Sequence, residues 1–132
     1  MQEVETLQES KLNDNWTLYY HLPDDKTWDL SSYKHIMQNI SSLEQLMSVN
    51  EKTPEKIVKY CMLFVMRNGI TPMWEDKQNR DGGCFSFKVS NKLVHDVWKH
   101  LFYSLCGETL CRDVEHTKKI NGITISPKKN FC

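Results

Sequence analysis

Trp74 and Glu75, in the run Gly69-Ile70-Thr71-Pro72-Met73-Trp74-Glu75-Asp76-Lys77, set an aromatic plate beside a carboxylate just after a turn. A second tryptophan, Trp28, lies upstream in the equally polar, loop-like stretch Asp24-Asp25-Lys26-Thr27-Trp28. Two indoles and an adjacent acid are the parts needed to hold a flat cation that donates hydrogen bonds from one edge. Guanine methylated at N7 is such a ring. Its positive charge makes the π-system electron-poor, so indoles on both faces gain dispersion and a cation–π attraction, roughly 1–3 kcal/mol per face. Methylation also acidifies the edge that carries N1–H and the exocyclic amine, and a carboxylate in that plane accepts both protons. Taken singly, Trp28 and Trp74 each read as loop anchors; taken with Glu75 they read as a sandwich for a methylated purine.

Other chemistries are less well supplied. Cys106, Cys111 and His116 follow a C-x4-C-x4-H spacing, which offers three ligands and lacks the paired short spacing of structural zinc sites, so no metal or other cofactor is expected. A Cys–His hydrolase has no local motif to support it. Gly82-Gly83 is not followed by a phosphate-binding lysine, and a tight hairpin is its ordinary meaning. Trp16 and Trp98 fall on apolar stripes and read as core. No catalytic residue emerges, and a binding protein is expected.

The chain has 132 residues, enough for one domain with a real core, and a formal net charge of zero. Neutrality excludes a general nucleic-acid binder that works by a global basic field, so phosphate contacts must be local. Five cysteines form an odd set without repeating spacing, and no signal-peptide pattern or membrane-length apolar run is present, which points to a reducing cytosolic or nuclear setting.

The elements that must position these residues follow from periodicity. Residues 1–12 are polar and aperiodic and read as a flexible arm ahead of a domain at 13–132. Trp16, Leu18 and Tyr20 alternate as one face of a strand. Ile36, Ile40, Leu43 and Met47 recur at helical spacing with Leu46, and Ser41 with Glu44 has the form of a capping box. Tyr60 to Met66 is an apolar run fit for a central strand; Asn79 to Gly83 turns the chain, and Phe85, Phe87 and Val89 alternate as another strand. Val94, Trp98, Leu101 and Leu105 line a long helix ended by Gly107, and Gly122 to Ile125 reads as a last strand. Strands and helices mix without regular alternation. The expected fold is α+β, an antiparallel sheet curved around functional loops and backed by helices.

Asn15-Trp16-Thr17-Leu18-Tyr19, Lys26-Thr27-Trp28, Gly69 to Asp76, Gly82-Gly83, and Val97-Trp98 through Gly107-Glu108 resemble, in order and spacing, the translation initiation factor 4E family. The resemblance spans about residues 10–132. It implies a cupped sheet that binds the 7-methylguanosine cap of mRNA in translation initiation, with Trp28 and Trp74 as the sandwich and Glu75 on the guanine edge. It further implies a phosphate contact by Lys128, whereas Cys84 stands where the family places an arginine. The family's later elements would fall beyond Cys132, so the domain reads as C-terminally short. A helical peptide of initiation factor 4G or of a 4E-binding protein would dock on the helical back, around Ile40, Glu44, Lys99, His100 and Tyr103. Glu44 aligns with a family tryptophan, and Ser10-Lys11 and His100 also depart from the pattern, which weakens that contact and fits a divergent member. Two alternative readings are a cap-binding repressor that does not recruit the scaffold, and an inactive fragment.

Overall fold

The alternation that begins at Trp16 divides the molecule into two faces. The computed structural model describes residues 10–132. In it β1 (Lys11–His21), β2 (Lys34–Ser42), β3 (Met62–Arg67) and β4 (Gly122–Ile125) form one antiparallel sheet in the order β2-β1-β3-β4. The connections carry α1 (Leu43–Lys52), α2 (Glu55–Tyr60), α3 (Lys77–Arg80), α4 (Val94–Cys106) and α5 (Val114–Lys118). Successive strand residues point to opposite faces. Trp16, Leu18, Leu63 and Val65 therefore join Leu46, Val49, Val58, Trp98, Phe102 and Leu105 in the main core between sheet and helices. The other face carries a smaller cluster of Tyr33, Phe64, Met66 and Ile70, flanked by Tyr19, Met62 and Met73. The α+β expectation holds, as do the central strand before Gly69, the long helix ending at Gly107 and the last strand at 122–125.

One polar cluster pins the sheet to its connections. Arg67, at the end of β3, lies 4.3 Å from the Trp16 ring centroid. Its Nη1 donates to Asp14 Oδ2 at 2.9 Å and to Glu108 Oε1 at 2.7 Å, and its Nε and Nη2 donate to the Ile120 carbonyl. Close approach of β4 to β3 requires a residue without Cβ at 122. An added Cβ there would lie 2.1 Å from the Val65 carbonyl oxygen.

Several sequence expectations fail here, each for an identifiable reason. Residues 36–42 are strand, not helix. The pairing Trp16↔Ile40 gives way to Leu18↔Met37, a one-residue slip, and Asn39 sits beside it at φ 55°. This bulge shifts the inward parity so that Met37 and Ile40 both meet the core while Ile36 is exposed, and Ile36 and Ile40 do not share a face despite their helical spacing. The helix starts at Leu43 with Ser42 as its cap: Ser42 Oγ accepts from the Gln45 N–H, and Gln45 Oε1 accepts from Ser41 N. The cap lies one residue later than Ser41, so the buried stripe is Leu46 and Val49, and Met47 points outward at 45% exposure. Phe85 and Phe87 do not build a strand. Residues 83–89 belong to no strand or helix, Val89 exchanges two hydrogen bonds with Cys132, and both rings are exposed. Of the expected arm, residues 1–9 lie outside the described residues, and Lys11 and Leu12 already belong to β1 because Lys11 pairs with Ser42.

Candidate ligand site

The face of the sheet opposite the helices carries the expected site residues, on two loops. The first loop leaves β1 at His21. Asp25 Oδ1 accepts from the Thr27 N–H at 2.9 Å, a local turn that fixes the approach to Trp28. Trp28 is 50% exposed. One of its faces is covered by His21, with ring centroids 3.9 Å apart and planes 8° from parallel. Tyr33 packs at an angle against both, its centroid 6.2 Å from Trp28 and 5.3 Å from His21, and rests edge-on against Phe64 at 5.2 Å. The indole is thus supported from below by the second hydrophobic cluster.

The second loop leaves β3 at Gly69, whose φ of +90° is the left-handed region that glycine enters without strain. Ile70 and Pro72 are buried and anchor its start. Asp76 then ties the turn together. Its Oδ2 accepts from the Thr71 N–H at 2.8 Å and from Thr71 Oγ1 at 3.0 Å, and its Oδ1 accepts from the Gln78 N–H at 2.9 Å, capping α3. These hydrogen bonds, Thr71 N–H foremost, hold the Asp76 carboxyl below the usual carboxylate range. Asn79 Nδ2 closes the loop from the other side by donating to the Thr71 and Met73 carbonyls, both at 2.8 Å. Asn121, just before β4, donates to Gln78 O and Asn79 Oδ1 and so fastens the turn to the sheet. Trp74 and Glu75 ride at the top of this stapled turn, Trp74 71% exposed.

Electrostatics connects the two loops. The Tyr33 hydroxyl is pushed above its ordinary value by burial and, second, by the negative charge of Glu75. Glu75 therefore acts on the aromatic group that carries Trp28. Two exposed indoles, and a carboxylate whose charge acts on the Tyr33 that packs against Trp28, are groups of the kind that a flat cationic ring with hydrogen-bond donors on its edge requires.

Lys128 is exposed at the turn where its own N–H donates to the Phe131 carbonyl, and no hydrogen bond or ion pair among the described residues joins it to the tryptophan loops. On the helical back, Lys99 is half-buried and His100 and Tyr103 are exposed on α4. Ile40 does not belong to that surface: at 0% exposure it is core, delivered inward by the bulge at Asn39. Glu44 is exposed in the first turn of α1, where its carboxylate accepts from the Ser10 N–H. The outward apolar residues of α1 are Leu43 and Met47. Tyr103 of α4 faces the same region, its hydroxyl raised by burial and then by the charge of Glu51 on α1. His21, Tyr33, Asp76 and Asn79 were not singled out from sequence. The alternation of β1 does carry a signal for His21, since Thr17, Tyr19 and His21 must share the face opposite Trp16 and Leu18.

The family model described as "Eukaryotic initiation factor 4E" matches residues 11–132. A mimivirus homolog of eukaryotic translation initiation factor 4E, from Acanthamoeba polyphaga mimivirus, is 45% identical over 63 residues, 48% of this chain and 23% of its own length. The Candida glabrata eukaryotic translation initiation factor 4E is 30% identical over 123 residues, 89% of this chain and 57% of that protein. The chain thus spans a little over half the length of that curated relative. Among solved structures, a schistosome eIF4E complexed with m7GpppG and 4E-BP superposes with a TM-score of 0.78 at 25% identity, covering 91% of this chain and 66% of the other. Caenorhabditis elegans eIF4E-3, in complex with the 4E-binding protein Mextli, superposes with a TM-score of 0.79 at 20% identity over 94% of this chain and 72% of the other, a likeness of fold.

Proposed function

This chain belongs to the eukaryotic initiation factor 4E family, and from that premise we propose that it binds the 7-methylguanosine cap of mRNA in translation initiation, through Trp28, Trp74 and Glu75. This reading is supported by the exposure of both Trp28 and Trp74 and by the charge of Glu75 acting on Tyr33, whose ring packs against Trp28. A methylated guanine enters between the indoles; its charge rewards stacking, and its N1–H and amine donate to Glu75. Unmethylated guanine keeps the edge and loses the charge, so stacking supplies the selectivity. Lys128 is the chain's own basic group for the cap phosphates.

Fluorescence titration with m7GpppG tests the reading. Binding quenches the indoles; Trp74→Ala abolishes the quench, Trp28→Ala weakens it severely, and Glu75→Ala costs about 1.5–3 kcal/mol, the range for hydrogen bonds to a charged group. Equal affinity for GpppG removes the cation–π account, and an unaffected Glu75→Ala removes the edge role.

A partner helix completes the proposal. Leu43 and Met47 on α1, with Tyr103 on α4, present the apolar back surface that a 4E-binding protein or initiation factor 4G segment would cover. With Glu44 engaged by Ser10 rather than replaced by an aromatic anchor, this contact is weaker than one built on a buried tryptophan. That weakness favours the second reading, a cap-binding repressor. Capture by a peptide with a Tyr-x4-Leu-apolar motif supports initiation; cap binding without capture at micromolar peptide supports repression.

A further inference from the structure

We propose that His21 is the positioning residue of the ligand plate: its buried ring covers one face of Trp28 and fixes the plane against which the ligand stacks. This inference rests on the cap-binding reading and names a residue that reading does not use. His21 is the last residue of β1, 1% exposed, and stacks on Trp28 at 3.9 Å with planes 8° apart. Both of its ring nitrogens face backbone carbonyls: Nδ1 lies 3.0 Å from Leu22 O and Nε2 lies 2.8 Å from Thr27 O. A neutral ring donates to one of them and a doubly protonated ring to both. The doubly protonated ring clasps both ends of the segment 22–27 that leads from the strand to Trp28, and the neutral ring holds the one end whose carbonyl it donates to. Tyr33 then closes the other side of the imidazole, edge-on at 5.3 Å, and is itself braced by Phe64.

Two consequences follow for the site. Trp28 is a one-sided plate, because a ligand can reach only the indole face that His21 leaves open. The plate is also ordered before the ligand arrives. An indole on an unsupported exposed loop samples several rotamers, and freezing them on binding weakens affinity by about 2- to 12-fold per side chain. His21 removes that cost in advance. Because this ordering acts before any contact with the methyl group, it raises affinity for methylated and unmethylated caps by the same factor.

The test compares His21→Phe, which keeps a flat ring on the indole, with His21→Leu and His21→Gln, which do not; glutamine retains an N–H for the carbonyls. Two readouts are taken on each: m7GpppG and GpppG titrations, and 19F spectra of the free protein labelled with 5-fluorotryptophan, the Trp28 line being the one lost in Trp28→Phe. His21→Phe is expected within about twofold of the unaltered chain, while His21→Leu and His21→Gln bind about 2- to 12-fold more weakly with an unchanged methyl-selectivity ratio. In the latter two the Trp28 line moves toward that of a solvated indole. Wild-type affinity and an unmoved Trp28 line in His21→Leu or His21→Gln overturn the proposal, as does a His21→Phe variant as weak as the leucine one. If no variant, nor the unaltered chain, binds m7GpppG while the Trp28 line still responds, the positioning role stands and the cap-binding reading falls.

Discussion

Replacing Asp76 by alanine isolates the staple from the ligand contacts, because Asp76 lies beside Glu75 yet spends both oxygens on its own loop. Three hydrogen bonds disappear in Asp76→Ala: those from the Thr71 N–H at 2.8 Å, Thr71 Oγ1 at 3.0 Å and the Gln78 N–H at 2.9 Å. The Gln78 bond is a helix cap, worth about 1 kcal/mol. The two Thr71 bonds go to a charged acceptor, but their donors are partly exposed and re-pair with water, so together they add about 1 kcal/mol more. The turn therefore loses about 2 kcal/mol of preference for the conformation that presents Trp74 and Glu75, at most about a 30-fold fall in its population relative to alternatives. Apparent affinity falls in proportion to the competent fraction. The expected outcome is an m7GpppG affinity about 3- to 30-fold weaker at neutral pH, equal for methylated and unmethylated caps, with only a small fall in Tm because Ile70 and Met73 keep the loop packed on the second cluster. The pH dependence has a definite sign. A carboxyl whose folded value is lowered stabilises fully above its ordinary value of about 4, and that contribution disappears as pH falls through the lowered value. Fluorescence titration at pH 7 decides the matter: an Asp76→Ala variant within twofold of the unaltered chain refutes the claim that this carboxylate holds the turn.

Two further outcomes follow from the structure. Arg67→Met leaves Glu108 without its partner and frees the Ile120 carbonyl, so stability should fall by about 3 kcal/mol and Tm by roughly 10 °C in a thermal melt; an unchanged melt would show the cluster to be neutral. Met47→Glu should weaken capture by the Tyr-x4-Leu peptide roughly tenfold while leaving the cap titration untouched, and a loss of cap affinity would place Met47 elsewhere than on the helical back.

The parts of the fold that were legible are those whose pattern owes little to neighbours. Val94, Trp98 and Leu105 repeat at helical spacing whatever they pack on, and Leu63 to Met66 is apolar enough to be a central strand in almost any sheet. Ile40 was misplaced because a bulge is not written in periodicity: one residue at positive φ shifts the inward parity, so that Met37 and Ile40 turn inward and Ile36, the expected partner of Ile40, does not. Phe85 and Phe87 alternate correctly for a strand, but alternation does not supply the neighbour a strand must pair with, and among the described residues only Val89 and Ser90 at the end of that segment find one. Met47 has a separate cause: α1 is capped by Ser42 and buries Leu46 and Val49, which leaves Met47 on its outer face.

By itself the sequence determined the chemistry on offer: two tryptophans off any apolar stripe, a glutamate beside one of them, and the spacing that resembles a cap-binding family. Those are properties of residue type and local order, and they survive without coordinates. Only the tertiary structure decided how the plates are held. His21 reaches Trp28 seven residues away because a strand end and a loop fold back on each other. Glu75 acts on Tyr33 because two loops that leave opposite ends of adjacent antiparallel strands fold back over the same face of the sheet. Stacking and charge depend on distances through space, and chain order does not fix those distances until the sheet is closed.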